Sequence, residues 1–196
     1  MKLVEQIRVP PSAELKSLCR AANALYNEAN FQFRQFFFLL GEVKTNYDLN
    51  YILKGYPCYR ALPAQTNQQV LRQVVQDWRN FFASCKAKRE SPAIFRGPVR
   101  PPGYKPRGGQ CVATFTNQNT RLKGGWIHFP KKCGIPPVRT RVPAYQQVRV
   151  VPRGRCYVLE VVHEREVGDL GLDTARVVGI DVGLNNLVTC DRELLS

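Results

Sequence analysis

One stretch of the sequence has residue types and spacing that could do metal chemistry: GIDVGLNNLVTC, residues 179–190. An apolar run ends in a single carboxylate, Asp181, and a Gly–Asn turn leads into a second apolar run. Desolvating a carboxylate is costly unless a cation or hydrogen-bond donors compensate it. A divalent metal does this well, and clustered carboxylates holding two Mg2+ ions about 4 Å apart activate water for phosphodiester hydrolysis. The pattern G-[IV]-D-x-G equally suits a turn facing a nucleotide phosphate in an ATP-hydrolysing fold, or a plain hairpin capped by Asp181. The motif alone leaves these three readings level.

Metal chemistry of another kind is not expected. The seven cysteines, at 19, 58, 85, 111, 133, 156 and 190, form no CxxC pair, and the two histidines, His128 and His163, stand apart. That spacing does not make a zinc site. An odd cysteine count behind a start, MKLVEQIRVPP, that lacks an apolar leader core points to reduced thiols in a cytoplasmic protein. The longest apolar cluster, residues 36–40, is too short to span a membrane, so no membrane partner is expected.

Charge gives the strongest compositional signal. The chain has 29 Lys and Arg against 15 Asp and Glu, a formal net charge of +14. Residues 86–165 alone hold 17 basic and 3 acidic side chains, while residues 166–196 hold 2 and 6. A surplus concentrated in this way favours phosphate binding over general solubility.

The elements that must position these groups follow from periodicity. Residues 2–9 alternate and read as a strand ended by Pro10 and Pro11, with Ser12 a plausible N-cap. Leu15, Leu18, Ala22, Leu25, Ala29, Phe33, Phe36 and Leu40 then recur at steps of three and four, predicting a long amphipathic helix stopped at Gly41. A short helix is predicted over 47–54. A third begins near Pro63 with the stripe Val70 or Leu71, Val74, Trp78, Phe81 and Cys85. SPAIFRGPVRPPGYKPRGG, from Ser91, reads as an extended basic connection unable to pack a core. CVATFT, GWIHFP, QQVRVVP and CYVLEVVHE read as short strands, the last two as a hairpin turning at Arg153-Gly154-Arg155. Strands at this spacing suggest a small barrel or sandwich with the helices inserted.

Taken in order, these segments resemble the N-terminal half of TnpB (OrfB) proteins, transposon-encoded RNA-guided DNA endonucleases related to type V CRISPR effectors. LCRAANALYNEANFQFRQ is similar to the family's first helix, and LPAQTNQQVLRQVVQDWRNFFAS to the helix bearing its aromatic signature. GYKPRG is similar to its basic link, FTNQNTRLKGGWIHFPK to its strand pair, and VRVVPRGRCYVLEVVHE to its hairpin. GIDVGLNNLVTC matches its RuvC-I motif. The resemblance implies an α+β chain: a wedge-like β-barrel from residues 1–9 and 92–172, a helical recognition domain inserted at 10–91, and the first hairpin of an RNase H-like RuvC domain at 173–196.

The resemblance also implies roles. Asp181 matches the first metal-binding carboxylate, for Mg2+ if the site is completed. Tyr47, Gln68, Thr116 and Asn117 match positions that read a short DNA motif beside the target; amides suit adenine edges, and Thr can pack on a thymine methyl. Arg96, Arg100, Lys105, Arg107, Lys131, Lys132 and Arg149 would hold the backbone of a guide RNA and its heteroduplex with a double-stranded DNA target.

Against the family's pattern, the later RuvC carboxylates and the zinc ribbon are missing. Asp191 and Glu193 follow Asp181 too closely to replace carboxylates from elsewhere in the fold. The chain by itself is therefore expected not to cleave DNA, the ribbon's zinc is not expected, and residues 174–196 are expected to be poorly packed or completed by a second chain. Two other readings compete. One is a catalytically inactive RNA- and DNA-binding module such as a guide-dependent repressor. The other is a single-strand binder stacking bases on Trp126 and Phe129.

Overall fold

The computed structural model describes residues 1–166, 180–181 and 189–190. Two units are distinguished, Lys2–Arg165 and one comprising Met1 with Glu166–Ser196. The first contains four α-helices and two antiparallel sheets in the order β1 (Lys2–Val9), α1 (Ala13–Leu40), α2 (Asn46–Leu53), α3 (Pro57–Arg60), α4 (Ala64–Glu90), β2 (Ala113–Thr116), β3 (Arg121–Lys123), β4 (Trp126–His128), β5 (Val138–Arg139), β6 (Gln147–Arg153) and β7 (Cys156–Glu164). The helices enter between β1 and β2, so they interrupt the sheet to which β1 belongs.

The long helices form where the spacing predicts. Ser12 caps α1 by accepting from the Leu15 N–H, and Gly41 ends it in the left-handed region at φ 70°. Thr45 and Asp48 make a reciprocal capping box on α2. The stripe on α1 is buried from Leu15 to Phe33, whereas Leu40 is 63% exposed. Against it α4 lays Val70, Leu71, Val74 and Trp78. Phe33 stacks on Trp78 with centroids 4.4 Å apart, the tightest of several ring contacts around this tryptophan. This core continues into the sheet through Ala113, Phe115, Val150 and Tyr157.

The larger sheet has the order β1-β7-β6-β2, with β1 along almost the whole of β7, from Lys2 opposite Glu164 to Val9 opposite Tyr157. β6 and β7 form the expected hairpin, turning at Gly154 with φ 53°. The smaller sheet, β3-β4-β5, packs Ile127 into a second core with Val148, Leu159 and Val161.

The expected barrel does not close. β1 and β2 are the two edges of the larger sheet, and no ladder joins either to the smaller one. The chain between β4 and β6 carries Pro130, Pro136, Pro137 and Pro143, which lack the N–H a ladder needs. A side chain makes the junction instead: Glu5 on β1 accepts from Thr140 Oγ1 and, at 3.1 Å, from the Arg141 N–H.

In the other unit, β8 (Ile180–Asp181) pairs antiparallel with β9 (Thr189–Cys190), Asp181 opposite Thr189. This is the pairing predicted for the GIDVGLNNLVTC hairpin. The remainder of the expected 173–196 nuclease start, with Asp191 and Glu193, lies outside the described residues. Among the described residues no helix is long and apolar enough to cross a membrane.

Candidate nucleic-acid interface

The basic proline-rich segment is held by a row of amides on α1. Asn23, Asn27, Asn30 and Arg34 recur at steps of four, three and four, which puts them on one face of the helix. Asn30, fully buried, donates to the carbonyls of Pro102 (3.1 Å) and Gly103 (3.2 Å) and accepts from Trp78 Nε1 at 2.9 Å. Asn27 clasps Lys105 as a strand would, donating to its carbonyl at 3.0 Å and accepting from its N–H at 2.8 Å. Asn23 donates to the Pro106 carbonyl, and Arg34 to that of Pro102. Further on, the Cys111 N–H reaches the Cys19 carbonyl. Residues 102–111 thus run antiparallel to α1 as a strap whose carbonyls are satisfied by three asparagine amides and, at Pro102, also by the Arg34 guanidinium. An extended connection is present as predicted, but it is tethered along its length.

Between the strap and α4 lies a groove. Two adjoining cavities, about 450 and 340 Å³, share Tyr26, Asp77 and Lys105. Their α4 wall is Gln69, Gln73, Asp77, Asn80 and Ser84, at steps of four, four, three and four, a polar face beside the apolar stripe. Lys105 stands opposite, with Arg149 towards one end and Arg100 towards the other. From Gln69 to Ser84 the helix rises about 22 Å, which matches about six nucleotides of one strand at 3.4 Å each. At the centre, Asp77 accepts from Tyr26 Oη at 2.6 Å and from Gln73 Nε2 at 2.7 Å. Burial, and then the hydrogen bond to Asp77, push the Tyr26 phenol well above its ordinary range. Tyr26 therefore stays a donor, and Asp77 is occupied by protein groups. The Lys105 ammonium lies 4.8 Å from the centre of the Tyr26 ring.

The predicted basic residues differ in what engages them. Arg96, Arg100, Lys105, Arg107 and Lys131 are exposed. Lys132 donates to the carbonyls of Arg60 and Leu62, completing the end of α3. Arg149 pairs with Glu160 directly across the β6–β7 ladder at 2.9 Å. Of the predicted motif-reading residues, Thr116 and Asn117 lie where β2 passes into a turn, and Thr116 Oγ1 donates to Gln65 on the first turn of α4. Gln68 sits exposed one turn further along α4. Tyr47 is 78% exposed on α2, and no hydrogen bond among the described residues joins it to the other three. Phe129, a predicted stacking residue, is taken up by an edge contact with Phe115 at 5.2 Å.

Sequence reading missed the asparagine tether and the polar face of α4. The signal was present: Asn23 and Asn30 sit inside the register of the apolar stripe, where a solvated residue does not belong.

Asp181 lies on β8, and among the described residues no three His, Cys, Asp or Glu side chains gather to hold a metal. Compared with known proteins, the chain matches no family model, and no curated protein is found similar to it.

Proposed function

We propose that this chain is the nucleic-acid-binding N-terminal portion of a TnpB-like RNA-guided DNA endonuclease encoded by a transposable element. The groove between α4 and the strap carries the proposal. It joins amide and hydroxyl groups, on either side of an Asp77 already engaged by Tyr26 and Gln73, to exposed cations over a strand-length path, a combination that suits a phosphate backbone. The two open sheets serve as the wedge, and the helices as the inserted recognition element. Thr116, Asn117 and Gln68 read the duplex beside the target, with Tyr47 on the flank. The guide RNA and heteroduplex lie along Arg100, Lys105 and Arg107, in the prokaryotic cytosol. Asp181 contributes a Mg2+ ligand only when further carboxylates complete the site, so DNA recombination by the whole enzyme requires more than this chain.

A guide-dependent repressor is a second reading, favoured by one observation: the groove is built entirely from residues of the Lys2–Arg165 unit, to which Asp181 does not belong. One experiment addresses both. The chain, expressed with its native flanking DNA, is purified and its bound RNA sequenced. A discrete structured RNA is expected, and the purified complex should bind matching DNA without cutting it in Mg2+. Recovery of only background RNA overturns the proposal.

A further inference from the structure

The small sheet has a solvent face that the groove does not use. Residues directly opposite in an antiparallel ladder share a face. Lys123 is paired with Trp126, and Trp126 with Arg139, so these three side chains form one row across β3, β4 and β5. Arg121 and its partner His128 form the neighbouring row on the same face. All five are exposed, whereas the alternate residues Leu122, Ile127 and Val138 turn into the second core. The face therefore presents one large aromatic ring, 45% exposed, flanked by cations on both sides.

At its Arg139 end the row meets a cleft of about 620 Å³ between edge strand β1 and the 139–141 loop, lined by Arg8, Arg139 and Arg141. The one carboxylate lining it, Glu5, is engaged by Thr140 and the Arg141 N–H. Thr140 is itself fixed through its N–H to the Gly125 carbonyl and its Oγ1 to the Val142 N–H. The loop backbone is thus anchored by neutral donors. The ion pairs among the described residues, at Lys44, Lys86 and Arg149, include none of the three cleft arginines. A guanidinium fork matches phosphate oxygens in pairs.

We propose that this face is a second nucleic-acid site, which takes unpaired nucleotides with a base stacked on Trp126 and the adjoining phosphates held by Lys123, Arg139 and the arginine cleft. Stacking on an aromatic ring is open to any base and closed to bases within an intact duplex. The inference rests on the chain being a nucleic-acid binder, but it concerns a separate surface with its own readout.

The chain has two tryptophans, and Trp78 is fully buried, so a fluorescence change on titration reports Trp126. The 196-residue chain is titrated with a ten-nucleotide single-stranded RNA, the same sequence as single-stranded DNA, and a DNA duplex. Quenching by one or both single strands and little by the duplex is expected. Trp126→Ala, an exposed position whose folding is checked by circular dichroism, should weaken single-strand binding about tenfold. Lys123→Gln with Arg139→Gln, two phosphate contacts, should reduce the salt dependence by about 1.4 logarithmic units per decade of salt. Binding without quenching, together with unchanged affinity in Trp126→Ala, overturns this site and leaves the groove standing. Quenching by the duplex as strong as by the single strands overturns the requirement for unpaired bases. Failure of the chain to bind any of the three overturns both this site and the proposed function.

Discussion

The strap over α1 and the β6–β7 hairpin are both basic, and they are fastened in different ways. In the strap the backbone is held mainly by Asn23, Asn27 and Asn30, with Arg34 also donating to a carbonyl, while the heads of the strap's own Lys105 and Arg107 stay exposed. In the hairpin a backbone ladder joins the strands, and a charged head is tied across it, Arg149 to Glu160. Neutral amides fix position and leave charge available to a ligand; an ion pair fixes position and neutralises it. Net charge therefore overstates what the sheet can offer to phosphate and describes the strap well. The comparison implies that breaking the strap's tether damages the fold, whereas breaking the hairpin's ion pair mainly changes electrostatics.

The largest effect should come from Asn30→Ala. It removes the buried acceptor of Trp78 Nε1 and the donor to the part-buried carbonyls of Pro102 and Gly103. Leaving buried polar groups unpaired costs about 1–3 kcal/mol each, so a loss of about 3 kcal/mol in urea unfolding is expected. Asn27→Ala cuts the same strap where the hydrogen bonds are open to solvent and should cost no more than about 1 kcal/mol. Equal losses would show that the tether does not depend on burial.

A smaller effect is expected in alkali. Cys19, whose carbonyl anchors the far end of the strap and whose thiol faces the Val150 carbonyl, has its pKa pushed up to about 12, chiefly by burial. The unfolded thiol ionises near 9 while the folded one stays protonated, so the unfolded state binds fewer protons between those values. Stability is then fully present below pH 9 and falls as pH rises towards 12. Between pH 8 and pH 10 the loss from this thiol is about 1 kcal/mol, and Cys19→Ala should remove that slope in unfolding midpoints measured across the range. A slope unchanged in Cys19→Ala would assign it to other groups.

Sequence periodicity made most of the framework legible. Strand β1, the caps and buried stripe of α1, helix α4 and the β6–β7 hairpin all follow from alternation, three-four spacing and turn chemistry. The missed features depend on contacts distant in sequence. Nothing local to Asn23 or Asn30 says that residues 102–106 will lie over them, and β5, two residues long, is too short to show a period. Barrel closure failed because edge pairing is a tertiary matter that strand composition does not determine. At the candidate site the exposed cations were legible as a basic block. Which cations remain available was not, because Glu160 and the carbonyls of Arg60 and Leu62 claim Arg149 and Lys132 through the fold.

The smallest effect on stability, and the sharpest test of the comparison, is expected from Glu160→Gln. The Arg149 side chain is 38% exposed, so it can be solvated once its partner is neutral. The Glu160 side chain is only 12% exposed, but Gln keeps an acceptor oxygen for the guanidinium, so a loss of about 1 kcal/mol or less, below that of Asn30→Ala, is expected. The same substitution frees a guanidinium at the end of the groove that Lys105 and Arg100 also line. Nucleic-acid affinity at low salt should rise, and the salt dependence should steepen by about 0.7, one additional phosphate contact. Binding unchanged in Glu160→Gln would place Arg149 off the ligand's path. A stability loss as large as that of Asn30→Ala would mean that the hairpin, like the strap, is fastened by burial, and the contrast between the two regions would not hold.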